Sequence, residues 1–167
     1  MGNEIARTDD SIVEQVVIGG DLSRLTPEQR VNYYRAVCDS LGLNPLTKPF
    51  EYIQLNGRLT LYARKDATDQ LRRVHNVSIV DVQVKETDSD FIVTAHGMTP
   101  DGRRYVEIGV VSKKDMRGDY GNALMKAVTK AKRRLTLSMC GLGMLDETEI
   151  ETVPGAIPVK VDDEGEI

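Results

Sequence analysis

The sequence predicts an α+β fold: a β-hairpin and a three-stranded antiparallel meander packed on a long basic C-terminal helix and an N-terminal helix. Three observations carry this expectation. Asn56-Gly57, a pair that favours the tight two-residue turn, separates two strand-like runs. Runs of alternating polar and apolar residues then cover 77–85, 91–95 and 104–111. Finally, apolar residues recur at steps of three and four from about 119 to 140, the period of a helix.

Taken in order, residues 1–25 are mixed in character and are expected to be loosely ordered or to serve as an oligomer contact, with a short strand or helix over 12–18. Thr26-Pro27-Glu28-Gln29 starts a helix: Thr26 caps, Pro27 suits the first helical position and Gln29 completes a capping box. Val31, Tyr34, Cys38 and Leu41 give this helix an apolar face, and Gly42 ends it. A connector with Pro45 and Pro49 leads to the hairpin strands at 50–55 and 58–64. Asp66 then caps a short helix reaching Val74. Thr99-Pro100-Asp101-Gly102 turns the chain between the last two meander strands. One core domain is thus expected over 26–145. From Leu145 the chain turns acidic and aperiodic, so residues 146–167 are expected to form a disordered tail.

Charge is distributed unevenly along the 167 residues. Residues 1–47 hold 4 basic and 7 acidic side chains, residues 48–134 hold 17 and 11, and residues 135–167 hold 1 and 8. The balances of −3, +6 and −7 leave a basic middle between acidic ends, within a net charge of −4. No apolar run reaches the roughly 18 residues of a membrane span, and the N-terminus lacks a signal-peptide pattern. A cytoplasmic protein without membrane contact is expected. Cys38 and Cys140 lie among apolar residues and read as buried thiols. His75 and His96 stand alone, and no metal-ligand spacing is present.

Within the long helix Leu124, Val128, Ala131, Leu135 and Met139 cluster on one side as its core face. Lys126, Lys130, Arg133 and Arg134 cluster on the other, with Lys132 off the stripe. Such cations repel one another unless an anion faces them. A phosphate backbone fits, because the guanidinium fork donates two parallel hydrogen bonds. Lys48, Arg58, Arg64 and Lys65 flank the hairpin, with Tyr52 and Tyr62 nearby; strand tyrosines are more often half-buried packing than stacking platforms for bases. Lys113 and Arg117 lie on the basic, glycine-containing loop that enters the long helix, where free backbone N–H groups suit anions. No G-x-x-x-x-G-K-[ST] occurs, so neither ATP nor any other cofactor is expected.

Asp81-Val82-Gln83-Val84-Lys85, with Asp66 or Asp69, loosely matches a metal-dependent nuclease core. Gln83 stands where a second carboxylate would hold the metal, and a strand with one wet face explains the pattern better. A solvated basic face, or an oligomeric scaffold that meets an acidic protein, would account for the cations without nucleic acid.

Two motifs carry a resemblance. Gly42-Leu43-Asn44-Pro45, then Thr47-Lys48, then a strand with Tyr52 and the Asn56-Gly57 turn, resembles the opening signature of phage single-strand annealing proteins of the Redβ/RecT type. The run from Lys126 to Leu135, continuing into Cys140-Gly141-Leu142-Gly143, is similar to the basic final core helix of that family. The resemblance covers roughly residues 26–150. It implies a DNA-binding annealing core distantly akin to the eukaryotic recombination annealing protein, and a homo-oligomer forming rings or helical filaments. It also implies binding of single-stranded DNA and of the annealed duplex without ATP, in the bacterial host cell. Lys48 and Arg134 match basic positions of the family that contact DNA; the other cations are assigned by helix geometry. A phage exonuclease or the host single-strand-binding protein are the further partners implied, and a passive single-strand coat is the alternative. The chain departs from the pattern at Asp66-Ala67, where many relatives carry Asp-Gly. It also carries only a short acidic tail where longer relatives have an extension.

Overall fold

The computed structural model describes residues 10–116, 119–150 and 153–159. In chain order the elements are α1 (Asp10–Glu14), α2 (Pro27–Leu41), β1 (Phe50–Leu55), β2 (Arg58–Ala63), α3 (Lys65–His75), β3 (Ser78–Glu86), β4 (Asp90–Met98), β5 (Arg104–Ser112), α4 (Tyr120–Met139), α5 (Glu147–Ile150) and β6 (Ile157–Val159). The fold is α+β, with two three-stranded antiparallel sheets and five α-helices among the described residues. The chain divides into two compact units: residues 1–64 with 153–167, and residues 65–152. No helix among the described residues is long and apolar enough to cross a membrane.

In the first unit the sheet runs β2-β1-β6. The hairpin turn forms because Asn56 (φ 50°) and Gly57 (φ 74°) both take left-handed conformations, the geometry whose twist matches the flanking strands. Phe50, Ile53 and Leu59 are buried in its core. The α2 cap is reciprocal: Gln29 N donates to Thr26 Oγ1 at 3.2 Å and Thr26 N donates to Gln29 Oε1 at 3.0 Å. Gly42 closes the helix at φ 71°. The Tyr34 hydroxyl on α2 donates to Phe50 O at 2.7 Å and accepts from Phe50 N at 3.1 Å. The Asp21 carboxylate, held below its ordinary range by the Ser23 hydroxyl and the Leu59 N–H, accepts from Leu59 N at 2.9 Å on the hairpin.

In the second unit β3, β4 and β5 form the expected meander, and α4 lies on one face of it. Phe91, Val93 and Ala95 of β4 meet Ala123, Ala127, Ala131, Leu135 and Met139 of α4. The helix seats closely because Gly109 has no side chain: a Cβ there would come within 2.6 Å of both Ala127 O and Ala131 N. This close approach explains a departure from expectation. Leu124 and Val128, assigned to the core face, pack half-buried at its flank, while alanines occupy the centre where only a methyl fits.

The chain beyond Leu145 also departs from expectation. Asp146 is fully buried, residues 147–150 are helical, and β6 pairs with β1. A buried partner for a buried arginine orders a segment that composition alone reads as solvated. The remainder of the expected tail, residues 151–152 and 160–167, lies outside the described residues, as do residues 1–9 of the N-terminal segment. Within that segment, α1 and a π-helical turn over Gln15–Gly19 occupy the stretch expected to hold a short element.

Candidate nucleic-acid interface

The 20 residues of α4 carry five cations (Lys126, Lys130, Lys132, Arg133, Arg134) and no acidic side chain. Asp119 caps its start by accepting from Asn122 N at 3.1 Å. With the alanine seat turned to the sheet, Arg134 is exposed, Lys126 and Lys130 are half-buried and Arg133 is largely buried, so the four do not share one open face. Lys130 makes one long contact, its Nζ donating to Val110 O at 3.4 Å. Lys130 and Lys132 form no ion pair among the described residues.

The arginines differ. Arg133 Nη1 lies 3.3 Å from Asp146 Oδ2, with side-chain exposures of 11% and 0%. Asp146 also accepts from Thr148 N at 3.1 Å, which starts α5. Arg134 stands between two carboxylates, Glu149 at 3.3 Å and Glu107 at 3.5 Å, and keeps 41% of its side chain exposed. Burial raises the Glu149 carboxyl above its ordinary 4.5 and Arg134 pulls it back. The segment after α4 therefore forms an acidic clasp over the C-terminal half of the basic helix. Sequence reasoning missed it. The available signal was Asp146-x-x-Glu149, two acids one helical turn apart just beyond the glycines. On the other side of α4, Arg72 of α3 donates to Thr136 Oγ1 at 2.7 Å and pairs with Asp69.

Of the remaining candidates in this unit, Lys113 turns into the fold. Its Nζ lies 2.8 Å from Glu86 Oε1 and over the rings of Phe91 and Tyr120 at 5.2 and 5.4 Å. Lys65 begins α3, but its side chain lies outside the described residues, as does the whole of Arg117.

In the first unit Lys48 is exposed, with φ 50°, and ends the turn Pro45–Thr47. Arg58 is exposed at the start of β2. Arg64 pairs with Glu51 at 3.5 Å and donates to Lys48 O at 3.4 Å. Tyr52 and Tyr62 are engaged locally: Tyr52 packs 6.3 Å from Tyr34, and the Tyr62 hydroxyl donates to Glu51 at 2.7 Å. The predicted cations thus form two sets, one in each unit.

The acidic residues of the nuclease-like run stay apart from these sets. Asp81 sits on an exposed face of β3, accepting from Gln83 Nε2 at 3.2 Å. Among the described residues no three His, Cys, Asp or Glu side chains gather as a metal site. Cys38 is buried, its thiol pushed up to about 11 by desolvation, and Cys140 is half-buried with its thiol raised for the same reason. No protein-family model, curated protein or solved structure matches this chain.

Proposed function

We propose that this chain binds single-stranded DNA and anneals complementary strands without a nucleotide cofactor. The observation that supports the reading most is α4, five cations and no acid along 20 residues. Lys126, Lys130 and Lys132 meet the phosphates of an extended strand, and Arg134 joins them through its exposed part. Arg133 holds the clasp rather than the ligand. Lys48 and Arg58 in the first unit are the further exposed cations of the set. The backbone is read through charge alone, the bases stay accessible, and Watson–Crick pairing with a second strand supplies specificity. The reading includes a homo-oligomer that aligns many such helices along one strand.

The test is annealing of two complementary labelled oligonucleotides with EDTA present and no ATP. Acceleration by the protein, reduced by raising salt, supports the proposal. Binding without acceleration makes the chain a passive coat, and an affinity that ignores salt contradicts phosphate contacts. Cleavage of DNA that requires Mg²⁺ and is lost in Lys85→Ala would favour the nuclease reading instead.

A further inference from the structure

Within the second unit, the end of α4 and the segment that follows it line an open pocket of about 270 Å³. Arg134 and Ser138 of α4, Glu107 of β5, Gly143 and Glu149 are among its walls. Arg134 Nη1 lies 3.3 Å from Glu149 Oε1, and its Nη2 lies 3.5 Å from Glu107 Oε2. A guanidinium donates through a planar fork that fits carboxylate and phosphate alike. The two carboxylates therefore hold the donors that a phosphate group would use. With both ionised, the pocket carries one positive and two negative side chains, a field that repels a phosphate.

The two carboxylates are held differently. Glu107 projects from the middle of β5, which is paired along its length with β4. Glu149 sits on α5, a single helical turn that other residues anchor. Asp146, fully buried, pairs with Arg133 and accepts from Thr148 N at 3.1 Å, and Ile150 is buried. The backbone of α5 is thus fixed without help from Glu149, and rotation about side-chain bonds is enough to take this carboxylate off Arg134. Burial raises the Glu149 carboxyl above its ordinary 4.5, so the closed position opposes its charge and a turn toward water relieves that. Arg134 keeps 41% of its side chain exposed, which leaves a way in from solvent.

We propose that Glu149 stands in for a DNA phosphate on Arg134 and gates this site. An incoming phosphate takes the guanidinium from the Glu149 carboxylate, which turns out to water while Asp146 keeps α5 in place. The pocket is then a phosphate subsite that opens only against competition. A strand already held by the lysines of α4 gains a further contact there, and an anion without that hold is refused. Arg133 takes no part, because its partner is fully buried. The inference rests on phosphate binding by α4 and adds the regulation of that same helix.

Equilibrium binding of a labelled oligothymidylate to the full chain at low salt tests it. Glu149→Gln removes the competing charge. Glu149→Asp keeps the charge but draws the carboxylate back by one methylene, and it carries the test if urea unfolding shows that Glu149→Gln has lost its fold. Glu149→Gln should tighten binding by about two- to fivefold, the worth of a partly exposed ion pair, and Glu149→Asp by less. Glu149→Gln should also steepen the dependence of log affinity on log salt by about 0.7, one added phosphate contact. In an Arg134→Gln background both gains should vanish, because the pair is already absent. Asp88→Asn, an equal change of charge in the exposed turn between β3 and β4, should leave binding as it is. A gain that persists without Arg134, or that Asp88→Asn reproduces, would assign the effect to net charge and overturn the gate. So would salt-dependent binding by wild type that neither Glu149 variant changes, a result that leaves DNA binding by α4 standing. Absence of binding by wild type and every variant would instead bring down the phosphate reading, and the gate with it.

Discussion

Along α4 the lysines and the arginines stand in different surroundings. Lys130 and Lys132 form no close ion pair among the described residues, although Lys130 is near enough to Glu149 to favour its charged form, whereas Arg133 and Arg134 are paired directly with Asp146, Glu149 and Glu107. Positive charge counted along a sequence is therefore not positive charge open to a ligand. The lysine ammonium, compact and strongly hydrated, stays in water on a flexible stem, while the planar guanidinium suits buried pairing with carboxylates. The arginines fasten the segment after α4 to the helix; under the proposed function the lysines are the cations that serve an outside anion.

The strongest way to break this comparison is to remove the buried acid. Asp146→Ala leaves Arg133 buried without its partner, which should cost about 3–5 kcal/mol in a urea unfolding curve. A loss below about 1 kcal/mol, the range of surface pairs, would mean the pair is a surface contact. Next in size is the seat on which both halves of α4 rest. Gly109→Ala places a methyl against the helix backbone at Ala127 and Ala131 and should cost about 1–3 kcal/mol or more. Gly97→Ala meets mainly the end of the flexible Met139 side chain and should cost less.

A fourth substitution extends the contrast to pH. Burial raises the Glu149 carboxyl above 4.5, so the native state holds this proton to higher pH than the unfolded chain does. Its contribution to stability worsens as pH rises from 4.5 through the raised native value. Glu149→Gln should remove that slope from the stability-versus-pH curve, and an unchanged slope would assign it to another group. Arg134→Ala should deepen the same slope, because the carboxylate loses its counter-charge.

The smallest effect on stability belongs to the lysines. Lys126→Ala, Lys130→Ala and Lys132→Ala should each change unfolding free energy by no more than about 0.5 kcal/mol. Combined, they should reduce the salt dependence of single-strand affinity by about 2 in the logarithmic slope, at roughly 0.7 per phosphate contact.

Local chemistry made most of the fold legible. Thr26 with Gln29, Gly42, and Asn56-Gly57 each act within four residues, so the capped helix and the hairpin follow from the sequence itself. The meander and α4 follow from periodicity. What stayed hidden depends on partners distant in sequence. The alanine centre of α4 answers Gly109 on a strand, and a helical wheel of apolar residues prefers Leu124 and Val128 because it cannot see that glycine. Asp146 and Glu149 read as part of an acidic tail because their partners lie 13 and 15 residues upstream. The candidate cations were legible as residue types. Their accessibility to a ligand was not, since it depends on pairings such as Lys113 with Glu86 and Arg64 with Glu51.

The most direct measurement compares strand annealing by the wild-type chain with that of the combined Lys126→Ala, Lys130→Ala, Lys132→Ala variant, in EDTA and without ATP, with both unfolding curves recorded. Wild type is expected to accelerate annealing, and the variant to lose the acceleration while its unfolding curve barely moves. A variant that anneals as fast as wild type would show that the lysines of α4 are not the DNA contact, and would contradict the division of labour between the two kinds of cation.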